Sequence, residues 1–99
     1  MTLSAKLDAV LDRFAVLEAR MSAGAEGGDY VALARDRAEL EPVVETIRAL
    51  RAAEADLAGL DQMLADPGTD AEMRALAAAE RPAAAANVGR LDREVRSAL

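Results

Sequence analysis

Eighteen of the 99 residues are Asp or Glu, and the chain contains neither His nor Cys. Any reaction chemistry would therefore fall to carboxylates: there is no imidazole to act as a base near neutral pH or to bind zinc, and no thiolate nucleophile or disulfide. Carboxylate acid–base catalysis needs two groups close to one reacting atom, in environments that separate their proton affinities. The pair nearest an apolar helical seam is Glu54 and Asp61. They stand a heptad apart, about 10 Å along a helix axis, beyond the roughly 5 Å of a retaining glycosidase pair, and the sequence places no basic partner beside either. They read as flanking charges of a helical bundle. The second candidate is Ser22–Gly28, SAGAEGG. A phosphate-cradling loop needs Gly-Lys-Ser/Thr at a helix start, whereas Gly27-Gly28 leads into Asp29 and Tyr30. The stretch reads as a loop, with Asp29 as the N-cap of the next helix. No catalytic, cofactor-binding or metal-ligating residue is assigned.

Composition narrows the partners. Twelve basic against 18 acidic residues give a net charge of −6, and such a surface repels phosphate, so direct sequence-specific nucleic-acid binding is not expected. No uncharged apolar window approaches membrane-spanning length, and the polar faces are acid-rich, which disfavours anionic lipid. No signal-peptide core precedes the first helix. These features predict a soluble cytoplasmic chain. Met1, Met21, Met63 and Met73 fall near helix ends, as gap-fillers.

The elements follow from apolar spacing. Leu3, Leu7, Val10, Phe14, Leu17 and Met21 recur at alternating fours and threes, one face of a helix over about 3–21, with Thr2 or Ser4 as its cap. A second helix over about 29–41 carries Val31, Leu33 and Leu40, with Arg35–Glu39 and Arg37–Glu41 placed to pair at i,i+4. Pro42 then kinks the element or breaks it, and a third stretch runs over about 42–65 through Val43, Ile47, Leu50, Leu57, Leu60 and Leu64. ADPGTD is a stop and a restart, with Thr69 or Asp70 as the new cap. The last helix, about 70–98, carries Met73, Leu76, Ala77, Ala84, Val88, Leu91 and Val95, with a kink expected near Pro82 and an Asp92–Arg96 pair. Few aromatic and many alanine residues suit closely spaced helices. The fold class is all-α: an antiparallel bundle of three to four helices forming a single domain over 1–99. Leu57, in the middle of the long stripe, is expected in the core.

The order SAKLDAVLDRFAVLEARM, then LEPVVE at Leu40–Glu45, then LAGLDQMLADP at Leu57–Pro67 and EMRALAAAE at Glu72–Glu80, resembles the amino-terminal domain of the bacterial peptide chain release factor 1 family, the class I release factors. The resemblance covers essentially the whole chain. It implies a cytoplasmic module of a translation termination factor that reads UAA and UAG and directs release of the nascent peptide, with the codon-reading and Gly-Gly-Gln segments in later domains. Neither tripeptide occurs here, so the resemblance implies a noncatalytic module of a longer protein. It further implies docking to the stalk-base region of the large ribosomal subunit and approach by the recycling GTPase, and it names no contact residue. Pro82 and its alanine-rich surroundings depart from the family's usual charged, proline-free last helix. Heptads alone would equally fit a free-standing helical adapter or coiled-coil protein dimerising through the long helix; on the first reading the isolated domain is a monomer or weak dimer.

Overall fold

The computed structural model describes residues 1–99, and the chain is all-helical: α1 (Leu3–Ser22), α2 (Gly27–Ala65) and α3 (Ala71–Ala98). By compactness it divides into two units, Met1–Ile47 and Arg48–Leu99, each a helical hairpin that takes part of α2.

In the first unit, Thr2 is the cap of α1: its hydroxyl oxygen accepts from the Ala5 amide at 3.1 Å. Leu7, Phe14 and Leu17 are buried on one face of α1, and Leu3, Val10 and Met21 flank them half-buried. Leu33, Val44 and Ile47 supply the buried residues of α2 in this unit. The loop is shorter than SAGAEGG suggests. Ser22 still belongs to α1 and Gly27-Gly28 already belong to α2, leaving 23–26 between them. Asp29 is therefore not the N-cap; it lies in the first turn of α2, where its charge still faces the positive end of the helix.

Pro42 does not break the element, and the separate helices over 29–41 and 42–65 are one helix of 39 residues. A proline in a helix interior costs about 3 kcal/mol through one lost hydrogen bond and a ring clash. Complete burial of an aliphatic side chain contributes about 1.5–3 kcal/mol, and Val44, Ile47 and Leu50 follow Pro42 within eight residues with no more than 2% exposure. Burial outweighs the local defect. The Pro42 ring faces solvent, and its carbonyl accepts from the Thr46 hydroxyl at 3.0 Å.

In the second unit the buried set is Leu50, Ala53, Ala77, Leu91 and Val95. Asp70, not Thr69, is the cap of α3, accepting from the Met73 amide at 2.8 Å. The helix continues through Pro82 and Gly89, carried by alanine, the strongest helix former. Three residues of the sequence stripe are less buried than their spacing implies: Leu57 is half-buried, and Met73 and Leu76 are exposed. The neighbouring stretch of α3, Ala77 to Ala86, is dominated by alanine, whose short side chains cannot cover a leucine on the facing helix.

Candidate functional site

The carboxylates singled out by spacing have different surroundings. Glu54 is exposed. Asp61 does have a basic partner, contrary to its sequence neighbourhood: Arg81, twenty positions on, donates from Nε to Oδ1 at 2.5 Å and from Nη2 to Oδ2 at 3.4 Å. That hydrogen bond holds the Asp61 carboxyl below its ordinary value and raises Arg81, with the guanidinium charge acting in the same sense. The pair ties α2 to α3 within the second unit, and an exposed strut of this kind stabilises little. No group of three or more Asp and Glu is placed to hold a metal ion, and no polar or charged side chain is buried.

Two arginines do more than their local spacing suggests. Arg37 pairs with Glu41 as the i,i+4 spacing predicts, and it also reaches Glu18 of α1, both at 3.2 Å. Its guanidinium lies 4.8 Å from the Phe14 ring centroid, so a cation rests on the one aromatic ring of the buried face. A shallow surface depression lined by Glu18, Met21, Ser22, Tyr30 and Arg37 surrounds this cluster. The Glu18 contact is invisible at helical spacing, because it needs α1 aligned against α2.

Arg74 closes the second turn. Its guanidinium donates to the carbonyls of Leu64 at 2.8 Å, Asp66 at 2.9 Å and Thr69 at 3.2 Å. The carbonyls at a helix C-terminus lack intrahelical partners, and a first-turn side chain of α3 satisfies one from the last turn of α2. Asp66 completes the turn by accepting from the Gly68 amide at 2.8 Å. A Cβ on Gly68 would approach that carboxylate oxygen to 3.2 Å, a tight contact. The sequence signals the turn through Pro67-Gly68; nothing in it signals Arg74.

Apolar side chains also stand exposed on the remaining surface. Val16, Tyr30 and Val31 are exposed in the first unit, and Met73 and Leu76 in the second. A groove in the second unit is lined by Asp56 and Leu60 of α2 and by Glu80 and Ala84 of α3; another depression lies along Arg90, Arg93, Glu94, Ser97 and Ala98. The expected ion pair at the end of α3 forms, Arg96 Nε to Asp92 Oδ2 at 2.8 Å. No helix is long and apolar enough to cross a membrane.

Comparison with known proteins gives this surface a context. Residues 10–99 match the PCRF domain family. The chain is 49% identical over 94 residues, 95% of its length, to peptide chain release factor 1 of Dinoroseobacter shibae, of which the aligned part is 26%. The chain thus spans about a quarter of the length of that curated relative. No solved structure matches.

Proposed function

The chain belongs to the PCRF domain family, and from that membership we propose that it is the amino-terminal, ribosome-docking domain of a translation termination factor. The observation that carries this reading is likeness to a release factor along nearly the whole chain. The complete protein would act in the cytoplasm and direct UAA- and UAG-dependent release of the nascent peptide; residues 1–99 form a noncatalytic helical module within it. Its proposed partners are the stalk-base region of the large ribosomal subunit and the recycling GTPase. Two features of the chain support contact over catalysis. The titratable groups that spacing offers as a site are engaged in ion pairs or lie in solvent, and apolar side chains stand exposed on both units.

The test is co-sedimentation of the 99-residue chain with isolated bacterial ribosomal subunits. The expected result is retention by the large subunit and not by the small one. Equal retention by both, or by neither, removes the docking assignment. A reading frame in which Leu99 is followed by a Gly-Gly-Gln domain supports the parent protein's role, whereas a native stop codon at that point rejects it.

A further inference from the structure

The groove between the second part of α2 and α3 combines three observations that the docking reading does not use. Its lining has apolar members in Leu60 and Ala84, both half-buried, and exposed carboxylates in Asp56 and Glu80. Neither carboxylate has a partner within the chain, although Glu18, Glu41, Asp61, Asp92 and Glu94 are all paired with arginine. Met73, Leu76, Glu80 and Ala84 follow one another at intervals of three, four and four, so they share one face of α3. The exposed Met73 and Leu76, at 41% and 51%, extend the apolar strip from the groove toward the turn. That strip is about 16 Å long at 1.5 Å per residue, close to three helical turns.

We propose that this strip is a docking groove for a basic amphipathic helix of a partner protein. Charge complementarity selects the occupant. A lysine or arginine carries an apolar stem that can lie along Leu60 and Ala84, and a cationic end for the carboxylates of Asp56 and Glu80. Apolar side chains one turn away on the partner helix cover Leu76 and Met73, in the manner of helix-in-groove recognition. Nucleic acid is disfavoured because the two carboxylates repel phosphate. A second copy of this chain is disfavoured because like acid-rich surfaces would meet. The inference goes beyond ribosome docking: it specifies the partner's chemistry and the residues that select it.

The probe is a short synthetic helix-forming peptide with one leucine face and one lysine face, titrated into the isotopically labelled 99-residue chain at low ionic strength. Expected are amide shifts concentrated at residues 56–64 and 72–84. Replacing both carboxylates, Asp56→Asn with Glu80→Gln, should weaken binding by about tenfold. Leu76→Ser should weaken it severalfold. Glu39→Gln, an exposed carboxylate of the first unit, should change it less than about twofold, as a remote surface charge does. Shifts scattered over the whole acidic surface, no binding, or equal losses for Glu39→Gln and the double variant would each overturn the proposal. Shifts produced instead by a single-stranded oligonucleotide, or by raising the concentration of the chain alone, would replace the occupant with nucleic acid or a second copy. Circular dichroism of each variant separates lost docking from lost folding. The peptide contains no ribosomal component, so failure of large-subunit co-sedimentation leaves this test standing, and failure here leaves co-sedimentation standing.

Discussion

Within Met1–Ile47 the connection between helices is four residues long, with Gly24 inside it at φ 95° and Gly27, the first residue of α2, at φ 60°, and the buried side chains are large: Leu7, Phe14, Leu17, Leu33, Val44 and Ile47. Within Arg48–Leu99 the connection is braced by Asp66, Asp70 and Arg74, and two of the five buried residues are alanines. Two hairpins of one chain therefore rely on different forces. The first depends on apolar burial along its length, reinforced where Arg37 covers Phe14. The second, with less side-chain volume to bury, depends more on hydrogen bonds at its turn. A small domain has few large side chains to distribute, and where alanine replaces them, turn chemistry supplies part of the difference.

Substitutions can break this contrast, and the largest effect belongs to the first hairpin. Phe14→Ala should cost about 3–5 kcal/mol, the range for emptying a buried aromatic site, measured by urea denaturation. A loss near 1 kcal/mol would show that the first hairpin does not depend on this ring. Next comes the turn of the second hairpin. Arg74→Ala removes a donor from three carbonyls, of which only that of Asp66 keeps another, the Thr69 amide, and should cost about 1–2 kcal/mol; a loss under 0.5 kcal/mol, the size of an ordinary surface change, would mean water replaces the guanidinium freely. Leu57→Ala should follow at about 1 kcal/mol, because the site is only half-buried. A loss of 3 kcal/mol or more would restore Leu57 to the core and erase the contrast in packing.

The smallest effect concerns Asp61 and Arg81, and it is read through pH. Because the Arg81 hydrogen bond lowers the Asp61 carboxyl, this group binds its proton less tightly folded than unfolded. Its contribution to stability is present above the ordinary carboxylate value of about 3.9 and disappears as pH falls through the lowered value. Arg81→Met should return the Asp61 titration toward that ordinary value in an NMR titration. An unchanged midpoint would show that the pair is not maintained in solution.

Much of this was legible in the sequence. The apolar spacing of Leu3 to Met21 predicts α1 to within one residue of its observed end at Ser22, and the ADPGTD stop and restart fall where expected. At Pro42 the sequence leaves a kink and a break as alternatives, and the structure has no break, because a local rule counts the lost hydrogen bond but not the burial of Val44, Ile47 and Leu50 beyond it. Leu57, expected in the core, is half-buried, because periodicity reports which face a residue occupies, not how tall the facing side chains are. Arg37–Glu18 and Asp61–Arg81 lie 19 and 20 positions apart, a separation that no helical spacing rule reaches. The groove of Asp56, Leu60, Glu80 and Ala84 was hidden for the same reason: it exists only once α2 and α3 are side by side.

The difference between the two turns also decides where the polypeptide can be cut or extended. The second turn ties up the Gly68 and Met73 amides and three carbonyls, so its backbone is held away from the extended shape a protease requires. The first has open space around Gly24 and Gly27. Limited proteolysis should nick the chain first at 23–26, and a reporter peptide or fluorophore-bearing insert is best placed at 24–26, past the Ala23 amide that caps α1, where it lengthens a connection without removing a hydrogen bond on which either hairpin depends.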